Sequence, residues 1–469
     1  MSSAQPLHYR GLAETAAGIK GGALSSEQVT RHIVERIATL EPKLHAFAEL
    51  RSDTALEEAR TADRRKAGGD ALGPLHGVPV AVKDLCAMAG TATRAGGLFA
   101  TGFGPSDTAT VVRRLLDAGA IVIGKAQLTE GAWGAHHPGV EPPVNPWAPD
   151  RWSGASSSWS GVSVAAGMAY GSIGSDTAGS IRFPSACNHL VGLKPTWGRV
   201  SRHGVFPLSE TLDHIGPMAR CVMDVALMFG AIAGADPLDP TTLDTPLDDF
   251  VAAARKRDLS GVRIGLDTDY VFSGLDGVTD AALKATIATL QAAGASIVEV
   301  SVGEVRPILE KATAVAFVEA AVSHAATYPS ARSSYSDTYA RLLDVGHATS
   351  ARDYASIAIW RWEFRGRLRR IFRDVDMLIA PVMSNEPPRV ADFASMMDAP
   401  PLSSAPVLAY TIPFNLAGVP SLTLPMDSAA SACPLGFQLI GPDLSEARLL
   451  SAGAAYEQAA GTAARHPAL

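Results

Sequence analysis

Two serine-rich stretches near the middle of the 469-residue chain contain the residue types that nucleophilic catalysis requires. Residues 154–161 read GASSSWSG, and residues 176–184 read DTAGSIRFP. In the second stretch, small residues precede Ser180 and Ile-Arg-Phe follows it, which predicts a tight loop that opens into a short helix. Free backbone N–H groups at such a helix start can bind an oxyanion. A serine nucleophile is therefore one interpretation of this region.

A flexible connection is the alternative interpretation, because Ser/Gly runs are common in linkers. It is weakened by the apolar sequence on both sides and by the tryptophan within the first stretch. Residues 162–173, between the two stretches, are apolar and rich in small side chains, and we expect about three helical turns there. Such a helix would return the second stretch to the side of the first, so both serine loops could face one pocket.

A lysine closes the apolar strand that is predicted at residues 78–82. Lys83 is a candidate general base, because a serine hydroxyl is a weak nucleophile until a base accepts its proton. A lysine accepts a proton near neutral pH only if burial lowers its pKa. The alternative is a side chain whose ammonium group extends from the strand end into solvent.

Short apolar strands and helical patterns make up most of the chain. Ser25 and Gln28 form a capping box at the start of the first helix. Further helices are predicted at residues 53–66, 107–118, 279–292, 305–326, 351–372 and 444–459. Strands are predicted at residues 78–82, 120–123, 262–265, 296–302, 377–380, 421–424 and 435–439. This alternation predicts the α/β class, with a central mixed β-sheet covered by helices on both faces.

The chain is expected to form a single large α/β/α domain over residues 1–469, since no Pro/Gly/Ser linker is long enough to separate two units. We expect N-terminal helices, a core, a peripheral helical segment, and C-terminal strands and a helix that complete the core. The expected bounds of these segments are residues 1–66, 67–225, 226–375 and 376–469.

The composition argues against several other classes of protein. With 47% hydrophobic and 19% charged residues, the chain is globular rather than disordered. A net charge of −7 argues against nucleic acid as a partner. No run of about 18 apolar residues occurs, and residues 1–10 lack the apolar segment of a signal peptide. We therefore expect a cytoplasmic protein without membrane contact, whose four cysteines are reduced.

Two local patterns resemble a metal site and a nucleotide site. His136 and His137 are adjacent, but neighbouring side chains diverge and no H-E-x-x-H pattern accompanies them. Residues 119–125 match a phosphate-binding loop except for its final Ser/Thr, but the residues within it predict a strand. We therefore expect no metal and no cofactor.

Eight sequence motifs resemble blocks of the amidase signature family, in the same order and spacing. They are residues 77–84 (GVPVAVKD), 145–147 (NPW), 154–157 (GASS), 174–182 (GSDTAGSIR), 191–201 (VGLKPTWGRVS), 212–218 (LDHIGPM), 413–420 (PFNLAGVP) and 436–442 (GFQLIGP). The resemblance covers nearly the whole chain and is weakest between about residues 230 and 375. It implies the amidase signature fold, a single α/β domain.

The resemblance also implies a Ser-cisSer-Lys triad. By position in the motifs, Ser180 is the nucleophile, Ser156 is the bridging serine next to a cis peptide bond, and Lys83 is the base. An oxyanion hole is implied as well. Its donors are the backbone N–H groups of Thr177, Ala178, Gly179 and Ser180.

A few positions depart from the family pattern. Ala155 and Ala178 stand where the family usually has glycine, and alanine at position 178 is free of strain only if φ is negative there. Ser158 and Trp159 replace a Gly-Gly pair. We predict that Trp159, three residues beyond Ser156, forms a wall of the substrate pocket, with packing in the core as the alternative. The other residues predicted to bind substrate are Trp133, Ser157 and Phe183.

These residues predict an amidase that cleaves C–N bonds other than peptide bonds through a covalent acyl-enzyme. The expected partner is a small-molecule amide, ester or carbamate, and the aromatic residues near the motifs favour an apolar or aryl amide or a urethane. A homodimer is one assembly open to such an enzyme. The alternative within the family is the ammonia-supplying component of a glutamine-dependent tRNA amidotransferase, its A-type chain, which requires partner proteins. A non-catalytic binding protein on the same scaffold is the alternative from another class.

Overall fold

Helices and strands alternate along most of the chain, as the sequence predicts. A computed structural model describes residues 5–398, 405–427, 431 and 433–469. Its α-helices are α1 (Leu12–Gly21), α2 (Ser26–Leu44), α3 (Ser52–Ala67), α4 (Thr110–Asp117), α5 (Ser158–Ala165), α6 (Arg182–Cys187), α7 (Val222–Ile232), α8 (Phe250–Lys256), α9 (Thr268–Val271), α10 (Gly277–Ala292), α11 (Arg306–Ser323), α12 (Asp337–Ala348), α13 (Ala351–Ile371), α14 (Val390–Asp398), α15 (Ala405–Leu408), α16 (Ile412–Ala417) and α17 (Glu446–Ala460). Short 3-10 helices lie at Leu7–Tyr9, Glu130–Ala132, Arg332–Ser334 and Thr462–Ala464.

Capping and apolar spacing account for the first long helix, α2. Ser25 precedes it, and its side chain accepts a hydrogen bond from the N–H of Gln28 at 3.0 Å. Val29 and Ile33 are fully buried, so one face of the helix packs against the core. The predicted N-cap is therefore present.

Eleven strands from the described part of the chain form one sheet. They are β1 (Phe47–Leu50), β2 (Pro79–Lys83), β3 (Ile121–Ala126), β4 (Gly171–Asp176), β5 (Val191–Lys194), β6 (His214–Ala219), β7 (Arg263–Leu266), β8 (Ser296–Glu299), β9 (Met377–Pro381), β10 (Ser421–Pro425) and β11 (Gly436–Ile440). Their order across the sheet is β1-β3-β2-β4-β6-β5-β10-β11-β9-β7-β8. Strand β2 is parallel to β3 and β4, and β7 is parallel to β8 and β9, whereas the other pairs are antiparallel. The predicted class, α/β with a mixed sheet flanked by helices, is confirmed.

The prediction of a single helix over residues 162–173 is wrong. Helix α5 ends at Ala165, Gly167 follows in the left-handed region (φ 69°), and β4 then occupies the middle of the sheet. Strand β4 reads GSIGSD and is buried at every position, so it shows none of the apolar alternation of a half-exposed strand. Its sheet neighbours decide its conformation more than its own propensity does.

The parallel pairing of β2 with β4 places two of the predicted site residues near each other. Lys83 is the last residue of β2, and the loop that carries Ser180 follows the last residue of β4. Parallel neighbours end at the same edge of a sheet. A strand in place of the expected helix therefore still brings the serine loop to the lysine.

Candidate active site

Lys83 lies at the centre of a buried cluster of hydroxyl groups. Its Nζ forms hydrogen bonds with Ser156 Oγ at 2.7 Å and with Ser175 Oγ at 2.8 Å. The side chain is fully buried. Burial disfavours the ammonium form and lowers the pKa of Lys83 to about 7, although the carboxylates of Asp213 and Asp176 act in the opposite direction. Lys83 therefore has the environment of a base that works near neutral pH.

Ser156 lies in the loop that leads into α5. The peptide bond between Ala155 and Ser156 is cis. Gly154, two residues earlier, has a φ of 82°, and a Cβ added there would lie 2.4 Å from the backbone nitrogen of Pro184. Glycine at this position therefore permits the close approach of the two serine loops.

A buried carboxylate shapes the loop that carries Ser180. Asp176, at the end of β4, accepts hydrogen bonds from the N–H groups of Gly179 (2.8 Å) and Ile181 (3.1 Å). It also pairs with the guanidinium of Arg182 at 3.0 Å. Burial alone would raise the pKa of Asp176, but the charge and hydrogen bonds of Arg182 hold this pKa well below its usual range. The loop therefore folds around the Asp176 carboxylate, which stays ionised.

Arg182 connects this loop to the C-terminal part of the chain. Its guanidinium donates to the Thr411 carbonyl at 2.9 Å, to Gln438 Oε1 at 3.1 Å and to Asn415 Oδ1. The amide of Asn415 in turn donates to Asp176 Oδ1 at 2.8 Å. Each of these polar groups is buried and has a partner, which makes a rigid support for the serine loop.

The implied oxyanion donors differ in their availability. The N–H of Gly179 donates to Asp176, whereas those of Thr177, Ala178 and Ser180 have no acceptor in the described part of the chain.

The described non-glycine residues with positive φ do not include Ala178 or Ala155, so alanine fits both positions where the family pattern has glycine.

An apolar cavity opens over the two serines. Ser156 and Ser180 both line it. The other lining residues are Ala132, Trp133, Gly134, Trp152, Ala155, Ala178, Phe183, Phe393, Val407 and Leu408. The indole of Trp152 stacks on Phe393 at a centroid distance of 4.3 Å and lies 5.7 Å from the ring of Phe183. The cavity therefore has aromatic walls beside two hydroxyl groups.

Two of the four residues predicted to bind substrate line this cavity, and two do not. Trp133 and Phe183 are in its wall. Ser157 is fully buried, and its hydroxyl donates to the carbonyl of Ser175 at 3.2 Å.

Trp159 is the other predicted residue that does not line the cavity. Its side chain is 0% exposed and packs edge-on against His136 at 4.6 Å. It lies in the first turn of α5, where the helical path directs it into the core rather than towards the serines. The prediction of a pocket wall at this position is therefore wrong. The substitution of a Gly-Gly pair by Ser158 and Trp159 fills the interior instead.

Three functional neighbours cannot be found from the sequence alone. Ser175 lies inside the motif of residues 174–182 and bonds Lys83, but the sequence does not predict strand β4, which carries it. Trp152 and Phe393 are far apart in sequence, and only the folded chain brings their rings together. The position of Trp152 between two family motifs is the one signal that could have suggested it.

The remaining sequence expectations concern metals and membranes. No group of three or more His, Cys, Asp or Glu among the described residues could hold a metal ion. In the same part of the chain, no helix combines the length and the apolar character that crossing a membrane requires.

Known proteins similar to this chain agree on its family. The family model described as Amidase matches residues 28–450. AmiD of Mycobacterium tuberculosis, named as a candidate amidase, is 40% identical over 456 residues, which cover 97% of this chain and 95% of AmiD. A solved structure of the peptide amidase PAM with the inhibitor chymostatin is 31% identical, covers 99% of this chain and 100% of that chain, and has a TM-score of 0.84. The chain belongs to the amidase signature family, whose enzymes act on C–N bonds.

A further relative bears on the predicted partners. It is the A-type chain of the glutamyl-tRNA(Gln) amidotransferase of Chloroflexus aggregans, which is 35% identical over 489 residues that cover 99% of each protein. That relative is named for a reaction on tRNA. The exclusion of nucleic acid, which rested on net charge alone, is therefore not supported, since net charge describes a whole molecule and not one binding face.

Proposed function

We propose that this chain is an amidase in which Ser180 is the nucleophile, Ser156 relays the proton and Lys83 is the base. One observation carries the proposal. A fully buried lysine with a pKa of about 7 lies 2.7 Å from a serine hydroxyl, and both serines of the proposed triad open into one cavity. A lysine in ordinary solvent would be protonated at neutral pH and could not accept a proton.

In the proposed reaction, Ser180 Oγ attacks the carbonyl carbon of the substrate while its proton passes to Ser156 Oγ. The proton of Ser156 passes to Lys83 Nζ in the same step. The free N–H groups of Thr177, Ala178 and Ser180 stabilise the oxyanion that develops. When the C–N bond breaks, Ser156 protonates the leaving nitrogen and recovers its proton from Lys83. Water then attacks the acyl-enzyme by the same route and releases the acid.

The walls of the cavity favour an apolar or aryl substrate. Trp133, Trp152, Phe183 and Phe393 offer flat apolar surfaces, and no charged side chain is among the described residues that line the cavity. A substrate ring gains both apolar burial and ring stacking in such a site. An aryl amide or an aryl carbamate, with a C–N bond that is not a peptide bond, fits this chemistry.

The same walls argue against the amidotransferase alternative. Free glutamine carries an ammonium and a carboxylate group, and buried charges need partners of opposite charge. The described lining of the cavity supplies none. The retention of Lys83, Ser156 and Ser180 in one cluster also favours an enzyme over a non-catalytic binding protein.

A hydrolysis screen on the purified chain, without partner proteins, tests this function. Anilides, benzamides, aryl carbamates and aryl esters are compared with glutamine, and release of amine, ammonia or phenol is measured. Turnover of an aryl amide or carbamate supports the proposal, and turnover of glutamine alone contradicts it.

Ser180→Ala tests the nucleophile in the same assay. The rate should fall by about 10⁴-fold or more, because the covalent route is lost. Ser160→Ala is the matched control, since Ser160 is a buried serine of α5 that does not line the cavity and bonds the Ile173 carbonyl. A phenylsulfonyl fluoride should modify Ser180. Labelling of another serine would contradict the assignment.

A further inference from the structure

One loop connects the cavity to helices that are remote in sequence. Residues 129–135, here called the wall loop, follow β3 and contribute Ala132, Trp133 and Gly134 to the cavity. Gly131 and Ala132 both have a positive φ, of 54° and 64°. A non-glycine residue keeps this conformation only where its surroundings hold it. The position of Trp133 therefore depends on what the wall loop contacts.

On one side the wall loop contacts the catalytic core. The N–H of Thr129 donates to the carbonyl of Ser156 at 3.3 Å, and the N–H of Gly131 donates to the carbonyl of Ala95 at 2.8 Å. These backbone bonds fix the path of the loop at its start. They leave the indole of Trp133, beyond them, to be oriented by other groups.

On the other side the wall loop contacts the start of α12. The buried carboxylate of Glu130 accepts hydrogen bonds from the backbone N–H of Ser336 (3.0 Å) and from its hydroxyl. Tyr339 donates its hydroxyl to the carbonyl of Gly131 at 3.3 Å. A Cβ on Gly131 would lie 2.1 Å from the Tyr339 ring, so the two elements are in direct contact.

The indole of Trp133 itself rests on α11. Its ring meets the ring of Phe317 edge to face at 5.1 Å, a favourable arrangement for two aromatic groups. At the C-terminal end of α11, His324 bridges the hydroxyls of Tyr335 and Tyr339, at 3.0 Å from each. Phe317 of α11 and Tyr339 of α12 thus both contact the loop that forms one wall of the cavity.

We propose that Ser336, Glu130 and Phe317 are positioning residues that set the preference for aryl substrates by holding Trp133 in the cavity wall. This inference rests on the proposed amidase function. It assigns a role in substrate selection to α11 and α12, which lie in the part of the chain where the family motifs are weakest. If the support is loosened, Trp133 should lose its fixed orientation, and ring-bearing substrates should lose more than small ones do.

The chain offers a matched pair of capping serines for the test. Ser336 caps α12 and Ser350 caps α13, and each hydroxyl accepts a hydrogen bond from a backbone N–H at 3.1 Å. Each hydroxyl also donates to a carboxylate, which belongs to Glu130 for Ser336 and to Asp353 for Ser350. Of the two serines, it is Ser336 that contacts the wall loop. Loss of either cap should lower the melting temperature, and the loss should be larger for Ser336→Ala, because it also removes a hydrogen bond from the buried carboxylate of Glu130.

The experiment measures kcat/KM for benzamide and propanamide in Ser336→Ala and Ser350→Ala. Ser336→Ala should reduce the preference for benzamide by about two- to tenfold, mainly through KM, and Ser350→Ala should leave it unchanged. Ser336→Thr, which keeps the hydroxyl, should restore the preference. Phe317→Leu should lower the preference in the same direction and serves as the second variant if Ser336→Ala does not fold.

Binding separates this inference from the proposed reaction. Calorimetric titration of benzamide into Ser180→Ala protein needs no turnover, and adding Ser336→Ala should weaken the Kd by a similar factor. A wild-type chain that hydrolyses none of the anilides, benzamides and aryl carbamates of the screen would overturn the proposed function alone. Equal benzamide preference and equal benzamide Kd in Ser336→Ala and Ser350→Ala would overturn the positioning role, whatever the catalytic result.

Discussion

Two buried lysines on neighbouring strands have opposite surroundings. Lys83 ends β2, and Lys125 lies on β3, where it is paired in register with Val82. Both side chains are fully buried. The Nζ of Lys83 contacts two serine hydroxyls, whereas the Nζ of Lys125 lies 3.0 Å from Asp84 Oδ1 and also donates to a backbone carbonyl and a threonine hydroxyl.

The difference shows that burial alone does not make a lysine into a base. Neutral hydroxyls accept hydrogen bonds from an amine without stabilising its positive charge as a carboxylate does, so burial shifts the pKa of Lys83 to about 7. Lys125 has a carboxylate for a partner. Burial raises the pKa of that partner, Asp84, while the charge of Lys125 opposes the rise. The surroundings of Lys83 thus suit the proton transfer that we propose, whereas those of Lys125 suit a structural ion pair.

The largest effect should come from replacing Lys83, the proposed base. Lys83→Met keeps the length of the side chain and removes the amine, and it should lower kcat by about 10²–10⁴-fold. The fold should survive, because the hydrogen-bond partners that Lys83 leaves behind are neutral hydroxyls. Rates on an aryl amide and thermal melting measure the two effects. Lys83→Arg should not restore activity, since a guanidinium stays protonated. An active Lys83→Met enzyme would place the base elsewhere.

For Lys125 we expect the reverse, a loss of stability with little loss of activity. Lys125→Met leaves the carboxylate of Asp84 buried without a counter-charge, which should cost about 3–5 kcal/mol of unfolding free energy. The protein that remains folded should keep most of its kcat. Urea denaturation and kcat measured below the transition test this. Adding Asp84→Asn should recover part of the stability, because an amide needs no counter-charge. A Lys125→Met protein with normal stability but no activity would contradict a purely structural role of Lys125.

The smallest effect should be the change of kcat/KM with pH, which follows the protonation of Lys83. Lys83 must be neutral to accept a proton, and its pKa is lowered to about 7. At pH values below this pKa, kcat/KM should fall by about tenfold per unit, because the protonated fraction grows. Above it, kcat/KM should level off. A pH profile of kcat/KM for an uncharged aryl amide measures this limb. A flat profile between pH 5 and about 8 would contradict the assignment of Lys83.

Short sequence patterns and the order of the family motifs predicted much of the structure. The cap of α2, the apolar strand that ends at Lys83 and the α/β class follow from patterns of a few residues. Positions within the motifs gave Ser156 and Ser180, which the fold brings to one cavity.

The remaining features depend on contacts between distant segments. Strand β4 has no alternation because both of its faces are buried, so residues 162–173 could not be divided between helix and strand from the sequence. Trp159 stands three residues from Ser156, and its direction was decided by the helix that carries it. The pairing of Trp152 with Phe393 is tertiary, and no local pattern predicts it.

The position of the last two strands within the sheet has a consequence for how the protein is made. Of the eleven strands in the described part of the chain, β10 and β11 are synthesised last, yet they lie between β5 and β9 and join the two halves of the sheet. The partners of Arg182 on Thr411, Asn415 and Gln438 arrive equally late. A nascent chain that stops before these residues therefore lacks the hydrogen bonds from Arg182 that hold its serine loop in place. These later segments must therefore be synthesised before the loop of Ser180, the proposed nucleophile, has its full support.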